Sequence, residues 1–106
     1  MIALASMAGV YAESGLAVYG ATKAALISMV EALNAEESGN GVSATAIAPG
    51  YVDTDMSAWT HDRITPDTMI KVDDIVELVD GLLKLSSRAV VPKVVMARAG
   101  TNGYSA

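Results

Sequence analysis

Apolar and polar positions along the chain switch between two periods. Ile2 to Ala5 is a short apolar run that stops by Gly9, which predicts a buried strand. Val10 to Leu16 reads as a loop. From about Val18 to Glu37 the spacing turns helical: Leu26, Val30 and Leu33 fall at i, i+4 and i+7, and Ile27 and Met29 widen the stripe. Ser38-Gly39-Asn40-Gly41 ends this helix, with Gly39 as the expected left-handed cap. Val42 to Ala48 predicts a strand. Val42, Ala44, Ala46 and Ala48 lie on one face and Ser43, Thr45 and Ile47 on the other, and both faces are small or apolar, as in a covered parallel sheet.

Pro49-Gly50 breaks that strand, and Tyr51 to Pro66 reads as an irregular, mobile loop. A second helix is expected over Asp73 to Ser86. Ile75, Val76, Val79, Leu82 and Leu83 make its apolar face, and Asp73 and Asp74 suit its positive N-terminal end. A last strand follows Pro92 and covers Lys93 to Arg98, and Gly100 to Ala106 is a polar tail. Strand, helix, strand, helix, strand with right-handed crossovers gives a three-stranded parallel sheet. The expected fold is therefore α/β, half of a doubly wound sheet, in one partial domain over residues 1–106.

Composition narrows the function. Twelve acidic against seven basic side chains leave a charge of −5, which argues against a face for nucleic acid or an anionic membrane. Arg88, Lys93 and Arg98 are too few for a basic patch. No apolar run reaches the length of a membrane span. Val10-Tyr11-Ala12 resembles a leader cleavage site, but the first basic residue is Lys23, so a cytoplasmic chain without a leader is expected. There is no Cys and one His, which excludes disulfides and thiolate chemistry and leaves little for a His-based triad or metal site. Asp73, Asp74, Glu77 and Asp80 read as a solvated helix face rather than a metal site.

The candidate chemistry begins with Tyr19 and Lys23. Four residues apart on a helix, they share one face about 6 Å apart along the axis. A free phenol has a pKa near about 10, and a neighbouring ammonium favours the phenolate, so the pair is a candidate proton donor and acceptor. Ser6 lies thirteen residues before Tyr19, at the C-terminal end of the first strand, where ligand sites of parallel sheets gather. Pro49-Gly50-Tyr51-Val52-Asp53-Thr54 begins thirty residues after Tyr19, at the end of the second strand. Trp59 is placed either in a substrate pocket or as packing for its loop, and His61 in solvent.

Three stretches together resemble the short-chain dehydrogenase/reductase family. They are Ile2-Ala-Leu-Ala-Ser6-Met-Ala-Gly9, Tyr19-Gly-Ala-Thr-Lys23-Ala-Ala-Leu26, and Gly41-Val-Ser-Ala-Thr-Ala-Ile-Ala-Pro49-Gly50-Tyr-Val52-Asp-Thr54. The likeness covers most of residues 2–56, and residues 72–98 match more loosely. It implies a Rossmann-type fold and hydride transfer between NAD or NADP and a small carbonyl or alcohol. Carried over, Tyr19 would be the general acid/base, and Ser6 would hold the substrate oxygen. Lys23 would bind the nicotinamide ribose and favour the Tyr19 phenolate. Pro49, Gly50, Val52 and Thr54 would contact the nicotinamide end of the cofactor. The loop from Asp55 to about Met69 would cover the substrate.

The family's glycine-rich loop, Thr-Gly-x-x-x-Gly-x-Gly, and its Asn-Ala-Gly strand end do not occur in the chain. Gly15 with Gly20, and Gly39 with Gly41, are poor replacements: Ala21 stands where a phosphate loop needs Lys, and Gly39-Asn40-Gly41 leads into a strand. The chain thus corresponds to the C-terminal portion of the family, and its first strand is expected to have an open edge. A homo-oligomer follows from that edge and from the family's use of the Tyr19 helix in dimers. The alternative is a non-enzymatic remnant, a small α/β module that associates with itself or docks on a partner.

Overall fold

A computed structural model describes residues 1–106. Its elements run in the expected order: β1 (Ile2–Leu4), α1 (Ala17–Glu37), β2 (Thr45–Pro49), α2 (Val72–Leu83) and β3 (Lys93–Met96). The three strands form one parallel sheet in the order β1-β2-β3, with Ala3 beside Ala46 and Ile47 beside Val94. No helix is long and apolar enough to cross a membrane.

The core is small and built from small residues. Ala3, Ala5, Ala44 and Ala46 on one face of the sheet meet Ile27 and Val30 of α1, with Leu26 and Leu33 at the margin. Alanine on the strands leaves room for branched side chains on the helix, so the two layers close without aromatic residues. Both Ala46 and Ile47 are fully buried, so β2 is covered on both faces as its pattern predicts. Buried Asn34 adds a polar clamp. Its carboxamide donates to the Ala44 carbonyl (2.8 Å) and accepts from the Ala44 N–H (2.7 Å), tying α1 to the residue before β2.

Glycines set how closely α1 approaches the end of β1. A Cβ on Gly20 would stand 2.8 Å from the Ala8 carbonyl oxygen, and one on Gly9 would stand 2.8 Å from the backbone of α1 at Ala24. The one-turn 3-10 helix Met7–Gly9 therefore lies directly against the first turns of α1. Ser6 caps that turn by accepting from the Ala8 N–H at 3.1 Å.

Several expectations need correction. The left-handed cap is Gly41 (φ +83°), because a 3-10 turn over Ser38–Asn40 prolongs α1 past Gly39. The second strand starts at Thr45, and Val42 is exposed. Met29 faces solvent; Asn34 takes a buried place on the helix that the apolar stripe did not include. α2 ends at Leu83 and β3 at Met96. α2 has the expected acidic start, where Asp74 accepts from the Lys71 N–H at 3.0 Å, yet none of its residues is buried. Ile75, Val79 and Leu82 are half-buried, and Val76 and Leu83 are exposed.

The segment after Pro49 is not irregular. It contains 3-10 turns at Asp55–Thr60 and Pro66–Thr68, and its two ends are pinned together. Val52 and Ile70 form a parallel bridge, with Ile70 N–H donating to Tyr51 (3.0 Å) and Asp53 N–H to Ile70 (2.9 Å). The polar tail also folds back. The Ala106 carbonyl accepts from Arg98 Nε (2.6 Å) and packs where a Cβ on Gly50 would stand, 2.8 Å away.

Candidate active site

Parallel strands deliver their C-terminal ends to one edge of the sheet, and the site forms there. β1 ends at Leu4 and hands over Ser6; β2 ends at Pro49 and hands over the turn to Thr54. α1 brings Tyr19 in its first turn. Ser6, Tyr19, Pro49, Gly50, Val52 and Thr54 all line one cavity of about 430 Å³. Nine of its fifteen lining residues are hydrophobic, so its few polar groups fix how a ligand is oriented.

Ser6 is buried, and its Oγ already accepts from the Ala8 N–H, so its own proton is left to donate into the cavity. Tyr19 is 42% exposed, open enough for its phenol to meet a ligand. Lys23 is placed differently from the other expected site residues. Its Nζ lies 5.6 Å from the centroid of the Tyr19 ring and donates to the Leu4 carbonyl at 3.3 Å, but it does not line the cavity. The helix stacks Tyr19 and Lys23 as the spacing requires, while the free carbonyl at the edge of β1 holds the ammonium to one side.

The segment over Asp55–Thr60 lines one side of the cavity with Met56, Ser57 and Trp59. Buried Ser57 fixes it: its Oγ donates to the Thr54 carbonyl (2.8 Å) and accepts from the Thr54 N–H (3.3 Å). Trp59 is therefore a wall of the site as well as loop packing, with Tyr51 edge-on at 6.0 Å and Arg63 over its ring at 5.7 Å. His61 is half-buried rather than solvated, and its Nε2 finds no partner.

Sequence reasoning missed four contributors. Glu13 and Leu16, on the loop before α1, both line the cavity, and Tyr51 does so beside them. Burial pushes the Tyr51 phenol above its ordinary range, and the Glu13 carboxylate pushes it the same way. A Glu before a helix reads as ordinary surface, and nothing in the local pattern aims it inward. The fourth is Ala106, brought to the cavity by the returning tail.

With this geometry in place, three comparisons bear on it. The family model for short chain dehydrogenases matches residues 1–64. A 3-oxoacyl-[acyl-carrier-protein] reductase, MabA, of Mycobacterium avium is 39% identical over 64 residues, 60% of this chain and 25% of its own length. Agropine synthesis reductase of Rhizobium rhizogenes is 38% identical over 88 residues, 83% of this chain and 20% of its own. The chain thus spans about a quarter or less of these curated relatives. Among solved structures, a betaketoacyl-[ACP] reductase of Bacteroides thetaiotaomicron superposes with a TM-score of 0.74 at 30% identity, over 92% of this chain and 39% of that one. A 4-hydroxyisoleucine dehydrogenase mutant solved with NADH and succinate gives 0.81 at 23% identity, over 95% and 47% of the two chains, which shows a shared fold.

Proposed function

This chain belongs to the short-chain dehydrogenase family, and from that premise we propose that it carries the proton-transfer end of an NAD(P)-dependent oxidoreductase acting on a small carbonyl or alcohol. The observation behind the reading is the convergence of Ser6 and Tyr19 with the Pro49–Thr54 turn on one cavity.

In this reading Ser6 donates its free proton to the substrate oxygen and holds it beside the phenol. Tyr19 gives its proton to that oxygen in reduction and takes it back in oxidation. Lys23, 5.6 Å from the ring centroid, steadies the negative charge left on the phenol oxygen. Gly50, Val52 and Thr54 fit the nicotinamide end of the cofactor, since the turn that carries them faces the same cavity as Tyr19. When bound, that cofactor supplies the hydride to the carbonyl carbon. Leu16, Met56 and Trp59 give the cavity apolar walls against which a small substrate packs.

The test is oxidation of NADH or NADPH with a panel of small ketones, for the chain and for Tyr19→Phe. Tyr19→Phe is expected to abolish turnover with an unchanged circular dichroism spectrum, and retained turnover contradicts the role given to Tyr19. A second reading, a docking module without activity of its own, is favoured by the unburied apolar residues of α2. Titration with NADH and NADPH separates the two: saturable binding supports the oxidoreductase, and no binding supports the module.

A further inference from the structure

Glu13 is the one charged side chain among the residues lining the cavity. It has no ion-pair partner; the one ion pair of the chain, Lys84 with Asp80, lies on exposed α2. Three cations lie against wall residues of the cavity, each with a contact other than Glu13. Lys23 is turned to Leu4, Arg63 to the Trp59 ring, and Arg98 to the Ala106 carbonyl. Glu13 is thus the one charged side chain that a ligand in this cavity meets directly, which favours a cationic group there, while the guanidiniums of Arg63 and Arg98 stand behind the wall residues Trp59 and Ala106. Charges of both signs are felt within the site: Glu13 raises the Tyr51 phenol, and Arg63 and Arg98 lower it.

We propose that Glu13 is a specificity-determining residue, and that the alcohol or ketone taken by this cavity carries an ammonium group that pairs with it. A substrate bearing a carboxylate is repelled. A neutral one of the same shape enters but leaves Glu13 without a partner. The inference rests on the reading of this cavity as the substrate site. It adds a substrate class that neither Ser6 nor Tyr19 specifies, as both address only the reacting oxygen.

Three probes of matched size test it: 1-amino-2-propanol, 1,2-propanediol and lactate. Trp59 is the single Trp and lines the cavity, so its fluorescence reports occupancy. The amino alcohol is expected to half-saturate at a concentration about tenfold below the diol, the size of one charge-assisted hydrogen bond, with lactate weaker than both. In Glu13→Gln the amino alcohol and the diol are expected to converge, and in Glu13→Lys lactate is expected to bind best. Equal binding of all three probes, no response to any, or an unchanged order in Glu13→Gln overturns the proposal. The readout needs no hydride transfer. The order is therefore expected to persist in Tyr19→Phe, and failure of the proposed chemistry is read separately from failure of the charge selection.

Discussion

The Asn34 carboxamide grips the backbone of Ala44 from both sides, donating to its carbonyl at 2.8 Å and accepting from its N–H at 2.7 Å. This clamp lies inside the chain, where neither backbone group has water as an alternative. Asn34→Leu keeps much of the volume but strands both groups, and each stranded buried group costs about 1–3 kcal/mol. The variant is expected to lose about 2–4 kcal/mol of unfolding free energy in urea, and Asn34→Asp is expected to be no milder, because an ionised carboxylate buries a charge and sets an acceptor against the Ala44 carbonyl. A loss below about 0.5 kcal/mol for Asn34→Leu contradicts the clamp.

Two glycines give opposite expectations for the same substitution. A Cβ on Gly20 meets the Ala8 carbonyl oxygen at 2.8 Å, so Gly20→Ala pushes the first turn of α1 off the Met7–Gly9 turn. Tyr19 moves relative to Ser6, and ligand occupancy of the cavity, read by Trp59, weakens with stability. A Cβ on Gly81, in the last turn of α2, meets nothing within 4 Å. Gly81→Ala is expected to stabilise the chain by about 0.5–1 kcal/mol and leave the cavity unaltered. Thermal melts of the two variants should move in opposite directions.

The sequence pattern was informative where function requires a local rule. Tyr19 and Lys23 stack because a helix repeats in four, and Ser6 and Pro49-Gly50 converge because parallel strands end on one side. The pattern failed where the deciding partner is distant. Periodicity shows that Ile75, Val79 and Leu83 form an apolar stripe but not whether anything covers it, and here Leu83 is 71% exposed. Asn34, a polar residue within a helix, reads as surface until Ala44 is seen beside it. The tail reads only as polar chain, yet Arg98 draws Ala106 back over Gly50, and Tyr104 meets Tyr11 edge-on at 5.3 Å.

Tyr51 gives a pH dependence with a definite sign. Burial first, and the Glu13 charge second, hold its phenol above the ordinary value of about 10. The folded chain thus keeps this proton where the unfolded chain has lost it. The stabilisation is complete below about pH 10 and is lost as pH rises through the folded value. In an ultraviolet titration, Tyr51→Phe is expected to remove the highest-pH phenolate transition and flatten the alkaline loss of stability. Glu13→Gln should lower the Tyr51 transition without removing it. A Tyr51 transition at or below that of free tyrosine contradicts the assignment.

The outer edge of β1 leads to the last expectation. β1 pairs with β2 on one side only, and Leu4 is 56% exposed there, with its carbonyl taken by Lys23 at 3.3 Å. An apolar strand edge invites pairing with a second strand, which satisfies its backbone groups better than a single ammonium does. The chain is therefore expected to sediment as an oligomer. Leu4→Lys places a charge on that edge and should shift the population toward monomer, since charged edge residues oppose strand addition. The same pairing takes the Leu4 carbonyl from Lys23, so association and the position of the ammonium beside Tyr19 are coupled. A single monodisperse monomer across a wide concentration range removes this expectation and leaves Lys23 anchored on Leu4 as the resting arrangement.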